Sequence, residues 1–211
     1  MSYNLEEQDQ IEQLRQFWQQ WGTAISAVLL LAALAWAGWG GWHWWQRREA
    51  AQASSLYAQL SQQIDAGDLK DAAPIWDKLR DAYAGTAYAQ MGALDLARAY
   101  ANGAKAPQAE AVLQWATAHG PVAAQRALAM LDLAALQIDA HQYAAALQTV
   151  KTPPTPAFRG LFLTRRGDVY AAQGERAQAR QAYTEALSLL PPDAVLRQLL
   201  QVKVNSVGGT A

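Results

Sequence analysis

Apolar and polar positions along this chain follow two regimes. From Trp21 to Trp45, "WGTAISAVLLLAALAWAGWGGWHWW", there is no Asp, Glu, Lys or Arg. After residue 45, apolar residues recur at intervals of three and four between charged ones, with almost no alternation of β-branched residues. The second pattern is that of amphipathic helices packed on one another. The first is too long and too apolar for the same treatment. A helix rises about 1.5 Å per residue, so roughly 20 residues cross the ~30 Å hydrocarbon core of a bilayer. The run of 25 residues in 21–45 spans it with some tilt. The sequence therefore predicts an all-α chain with one membrane helix over 21–45 and a helical domain beyond it.

Tryptophan usage sharpens this picture. Seven of the nine tryptophans (Trp18, Trp21, Trp36, Trp39, Trp42, Trp44 and Trp45) lie in or beside the apolar run. Indole has an apolar body and one N–H donor, and it settles at the headgroup level of a membrane. Trp18 and Trp21 make one aromatic belt; Trp42, Trp44 and Trp45 make the other. Trp36 and Trp39 fall deeper and suit contact with a neighbouring helix. Ala33, Ala37 and Gly41, at four-residue intervals, allow the close approach such contact needs.

Two other readings of the run were weighed. A buried helix of a soluble domain is rarely uncharged for so long. A cleaved signal peptide would use "AWA" at 35–37, yet the preceding residues carry Glu6, Glu7, Asp9 and Glu12 against Arg15, whereas signal peptides begin basic. An uncleaved anchor fits better. Orientation does not follow from charge: Arg47 and Arg48 on one side outnumber Arg15 on the other by one residue, and long domains translocate largely regardless of charge.

The soluble part carries an internal repeat. Its clearest copy, Gly160 to Asp193, is "GLFLTRRGDVYAAQGERAQARQAYTEALSLLPPD". Leu163, Gly167, Tyr170, Ala179, Tyr183, Ala186 and Pro191 occupy the large, small and terminating positions of a tetratricopeptide unit, with Gly174 at the turn between its helices. Earlier copies are weaker. One holds Ala97, Tyr100, Ala109, Leu113 and Ala116; another Ala134, Ala146 and Val150; the first Gly67, Ala72, Trp76 and Leu79. The second-helix alanines Ala72, Ala109, Ala146 and Ala179 are separated by 37, 37 and 33 residues, close to the tetratricopeptide period of about 34. About four helix pairs follow, enough for a continuous solenoid core. "TPPTP" at 152–156 interrupts the array, and Val195, Leu196, Leu199, Leu200 and Val202 of "DAVLRQLLQVKV" suit a C-terminal capping helix. The expected organisation is a short tail at 1–20, the anchor at 21–45, the repeat domain at 46–204 and a flexible tail at 205–211.

Composition narrows the chemistry. Beyond the anchor, 16 of the 17 Lys/Arg face 14 of the 18 Asp/Glu, because only Arg15 and four acids precede it. A nearly neutral domain lacks the clustered basic residues of a nucleic-acid footprint. Absence of cysteine excludes disulfides and thiolate chemistry. His43, His119 and His141 are scattered without metal-ligand spacing. Asp65, Asp68 and Asp71 recur every three residues, which fits caps and turns rather than a calcium loop. "RGD" at 166–168 falls inside a repeat helix, where Gly167 is a packing glycine. The residues point to no catalytic constellation, no cofactor and no metal.

Three stretches carry a family resemblance: "EQDQIEQLRQFWQQWG" at 7–22, "RGDVYAAQGERAQARQAY" at 166–183 and "QVKVNSV" at 201–207. Together with a single aromatic-ended span and degenerate repeats, the chain resembles the ancillary SecYEG translocon subunit family (YfgM-like). The resemblance implies a bacterial inner-membrane protein with a cytoplasmic N-terminus and a periplasmic repeat domain. Its implied partners are the SecYEG channel, a membrane-anchored periplasmic chaperone of the PpiD type, membrane lipid and unfolded secreted clients, with no enzymatic activity. By tetratricopeptide analogy, Leu161, Thr164, Asp168 and Ala171 of the last repeat point into a partner-binding groove. The alternatives are an envelope-assembly or cell-division scaffold with no tie to the translocon, or a cytoplasmic regulator if the arginines set the topology.

Overall fold

The computed structural model describes the backbone of residues 3–191 and 193–208, and the side chains of 15, 18–23, 26–191 and 193–208. Residues 1–2 of the expected N-terminal tail and 209–211 of the expected C-terminal tail lie outside the described residues. Among the described residues every regular element is helical.

The first helix, α1, runs Tyr3–Asp65 and contributes to two compact units, Met1–Glu49 and Ala50–Ala211. The first unit contains the apolar run. Among the described residues it is the one stretch long and apolar enough to cross a membrane, and none of its apolar window is buried. All seven tryptophans of this region are more than half exposed. A soluble core helix would have hidden them, since each indole buries 150–250 Å² when packed. Trp39 meets His43 edge-on at 4.7 Å, and the Arg48 guanidinium lies 5.5 Å over the Trp44 ring. A cation is therefore held over an indole at the charged end of the run.

The second unit is an array of helix pairs. The last turns of α1 pair with α2 (Leu69–Ala82), α3 (Ala87–Asn102) with α4 (Ala106–His119), α5 (Ala123–Asp139) with the short α6 (Tyr143–Thr149), and α7 (Arg159–Ala172) with α8 (Arg176–Ser188). A last helix, α9 (Val195–Val207), packs on α8. Local chemistry sets the boundaries. The Asp68 carboxylate accepts from the N–H groups of Lys70 and Asp71 to start α2, and Thr86 Oγ1 accepts from Ala89 to start α3; both satisfy donors a helix start leaves free. Gly67 and Gly174 take φ of +76° and +80° in the turns that close pairs one and four, a conformation costly for a residue with a Cβ.

Packing follows the repeat. Ala72, Ala109, Ala146 and Ala179 are all fully buried, because a methyl is the most the close approach of paired helices allows. Large residues fill the gaps between them. Trp76 packs edge-on against Trp115 at 4.9 Å, in a cluster with Leu60, Leu79, Leu96, Ala97, Tyr100 and Leu113. Ala134, Val150, Phe162 and Val169 form the middle core, and Leu163, Tyr183, Ala186 and Leu200 the last. Gly167 permits the closest approach: a Cβ built there would sit 2.4 Å from Cε1 of Tyr183. The proline segment passes through a 3-10 turn at Pro156–Phe158. It is tied back where the Arg166 guanidinium donates to the Lys151 carbonyl at 3.1 Å.

Two details depart from the sequence expectation. Helix α9 extends to Val207, so 205–207 are helical rather than loose; Val207 joins the last core and Ser206 donates to the Lys203 carbonyl at 2.8 Å. The five apolar residues named for the capping face also divide. Leu196 and Leu200 pack inward with Val204 and Val207, while Val195, Leu199 and Val202 are 89%, 50% and 65% exposed. At 100° per residue those five positions cover more than one face of a helix, and only one face meets α8.

Candidate functional site, the A-helix face

The first helices of the pairs (the end of α1, then α3, α5 and α7) are called A helices here. Successive A helices touch, α3 against α5 and α5 against α7, so their outward stripes join into one surface. The repeat offsets locate that stripe. In α3 it is Met91, Asp95, Arg98 and Asn102. The same offsets fall on Leu128, Asp132, Ala135 and Asp139 in α5, on Leu161, Arg165, Asp168 and Ala172 in α7, and on Ser54, Ala58, Ser61 and Asp65 in α1. All sixteen are at least partly exposed, whereas the residues between them, such as Leu96, Ala97, Leu133, Ala134 and Gly167, are buried.

The surface has an apolar edge and an acidic middle. Met91 and Leu128, 37% and 39% exposed, stand in register with the half-buried Leu161. One turn further along, Arg98 lies between Asp95 and Asp132, at 3.8 Å and 3.5 Å. Tyr57 closes the group by donating its phenolic O–H to Asp95 Oδ2 at 2.8 Å. Burial, reinforced by that hydrogen bond and by the Asp95 charge, pushes its pKa up to about 12. Between the end of α1 and α3 the face opens into a cleft of about 630 Å³, lined in part by Ser61, Ile64, Asp65, Asp95, Arg98 and Asn102.

The last repeat is arranged differently. Asp168 Oδ1 accepts from the Tyr183 hydroxyl at 2.7 Å and from Lys203 Nζ of α9, while Oδ2 takes Arg165 at 3.3 Å. Burial and the bond to Asp168 raise the Tyr183 pKa above its ordinary value. Of the four groove residues expected here, Thr164 is buried and its hydroxyl donates to the Gly160 carbonyl at 2.8 Å, so the polar group at that level is Arg165. Ala171 packs on the last core and Leu161 on the middle one. Asp168 stays at the surface with its carboxylate fully engaged. The corresponding residues of the first three repeats were not singled out from sequence, although "LDLA" at 94–97 and again at 131–134 marks Asp95 and Asp132 as one repeat position.

Other residues singled out in the sequence are structural in their placement. His119 ends α4, stacked on Trp115 at 5.0 Å. His141 sits in the turn after α5 with φ of +59°. The tripeptide at 166–168 lies inside α7. Among the described residues no group of three acids or histidines is placed to hold a metal ion.

A repeat array built this way has known relatives. The model of the tetratricopeptide repeat-like domain family matches residues 15–209. The chain belongs to that family. Within it, the chain is similar to proteins named ancillary SecYEG translocon subunit, from Neisseria gonorrhoeae at 32% identity over 130 residues (62% of this chain and 62% of the relative) and from Aggregatibacter actinomycetemcomitans at 28% over 122 residues (58% and 59%). The chain thus spans about three fifths of the length of these relatives. Two solved structures of a Podospora anserina kinesin light chain with nearly identical tetratricopeptide-like repeats share the fold. Their TM-scores are 0.54 and 0.52 at 14% identity, covering 76% of this chain and 88% of theirs. At that identity the likeness speaks to the fold alone.

Proposed function

We propose that this protein is a membrane-anchored, non-catalytic interaction module of a SecYEG-type translocon. Its repeat domain faces the periplasm and brings a PpiD-type chaperone to secreted chains leaving the channel. The observation that carries this reading is the combination of a translocon-subunit likeness over 130 residues with one apolar, tryptophan-bordered helix ahead of the repeats. Anchoring keeps the repeat domain within nanometres of a membrane partner and raises its effective concentration there. The A-helix face then supplies the docking surface. It is broad, mixed in polarity and open at Met91 and Leu128, which suits a protein segment better than a small metabolite. The anchor's small-residue line at Ala33, Ala37 and Gly41 supports packing on a channel helix.

The experiment is affinity purification of the tagged full chain from membranes in mild detergent, probed for the channel and for the chaperone. Recovery of the channel, lost when the 21–45 segment is replaced by an unrelated span, supports the reading. Recovery of an envelope-assembly complex instead, with the channel absent, replaces it by the scaffold reading.

A further inference from the structure

We infer that the A-helix face docks an amphipathic helix whose flank is basic, with apolar residues about seven positions apart. This rests on the proposed docking role and states the chemistry of the docked segment. Charge is the first argument. From α1 to α5 the face carries Asp65, Asp95, Asp132 and Asp139 against Arg98 alone, in a chain whose net charge is only −1. Arg98 is already shared between Asp95 and Asp132, and Asp132 Oδ2 has no hydrogen-bond partner. A lysine or arginine arriving from outside completes that set, and an acidic segment meets like charge.

Geometry is the second argument. Met91, Leu128 and Leu161 occupy one repeat position on adjacent helices, and packed helices lie about 8–10 Å apart. A helix laid across them advances about 1.5 Å per residue, so an apolar side chain returns to the face roughly every seventh residue. The acidic row lies one turn along the A helices from this apolar row, which puts the basic residues on a single flank. At α7 the opportunity ends, because Lys203 and Arg165 already answer Asp168.

The test uses the full chain in nanodiscs of zwitterionic lipid, with empty nanodiscs as background. Two labelled synthetic helices share heptad-spaced leucines and differ in carrying lysine or glutamate on the flank. The lysine helix is expected to bind saturably and at least about fivefold tighter than the glutamate helix. It loses about fivefold in the Asp95→Asn/Asp132→Asn double variant, as two exposed pairs would give. Asparagine keeps an acceptor for Tyr57, and circular dichroism verifies the fold. No saturable binding, equal binding of both helices, or an unchanged affinity in the folded double variant overturns the inference. If the double variant fails to fold, the lysine–glutamate comparison on the unaltered chain decides it alone. Channel recovery is read separately: lost selectivity with the channel retained removes only this charge assignment, whereas loss of the channel removes the docking role itself.

Discussion

The Tyr183 hydroxyl donates to Asp168 Oδ1 at 2.7 Å, and Lys203 reaches the same oxygen from α9. One carboxylate thereby joins the last helix pair to the capping helix. Its side chain is 17% exposed and that of Lys203 29%, so screening is only partial. Removing one partner of such a group costs about 1–3 kcal/mol. Asp168→Ala should lower the unfolding free energy of the full chain in detergent by about 2 kcal/mol. Tyr183→Phe and Lys203→Met should each lower it by about 1 kcal/mol and be less than additive with Asp168→Ala. Denaturant titrations of the single and double variants check this; strict additivity would show that the three groups act independently.

Alkaline pH should weaken the same domain through Tyr57 and Tyr183. Both phenols hold their protons more firmly than ordinary tyrosine, Tyr57 up to about 12, first through burial and then through their aspartate partners. An unfolded tyrosine titrates near 10, so above that pH the unfolded chain binds fewer protons than the folded one. Their contribution is complete below about pH 10 and is lost as pH rises toward 12. Denaturant midpoints at about pH 9 and about pH 11.5 should converge in Tyr57→Phe relative to the unaltered chain. Near-ultraviolet absorbance should place the Tyr57 phenolate late in the titration.

Gly167 tests how closely the last pair is packed. A Cβ there meets the Tyr183 ring at 2.4 Å, so Gly167→Ala forces the ring or a helix to shift and should cost about 1–3 kcal/mol. Gly85 has open space around its Cβ position, and Gly85→Ala should be neutral or slightly stabilising. Thermal melts of the two variants should separate them; equal melting temperatures would mean that the α7–α8 approach is looser than the structure has it.

Trp76 anchors the first core, 4% exposed and edge-on to Trp115. Trp76→Ala should cost about 3–5 kcal/mol and abolish the near-ultraviolet dichroism of that indole pair. A variant that keeps both its stability and its aromatic signal would contradict this packing.

The anchor makes a separate prediction. Leu30 and Leu31 are 62% and 65% exposed in the chain alone, and a charge near the middle of a span costs about 2.5–3.5 kcal/mol. Leu30→Lys combined with Leu31→Lys should release the protein into the carbonate-soluble fraction. A tag after Ala211 reports orientation in spheroplasts, and its digestion by external protease is the expected outcome.

The sequence by itself determined what depends on periodicity and length. Twenty-five uncharged residues with tryptophan at both ends mark the anchor, and the 37, 37 and 33 spacing of Ala72, Ala109, Ala146 and Ala179 sets the number of helix pairs. These features are local, because a methyl at a helix crossing and a turn glycine at Gly174 are needed wherever the array runs. Only the tertiary structure decided which polar groups meet. Asp168 is free or engaged according to where α9 comes to rest, and Lys203 lies 35 residues away along the chain. Arg98 joins Asp95 to Asp132 because α3 and α5 lie side by side. Exposure of Val195, Leu199 and Val202 was likewise settled by which face of α9 meets α8, a choice among three-dimensional contacts that an apolar count along one helix does not make.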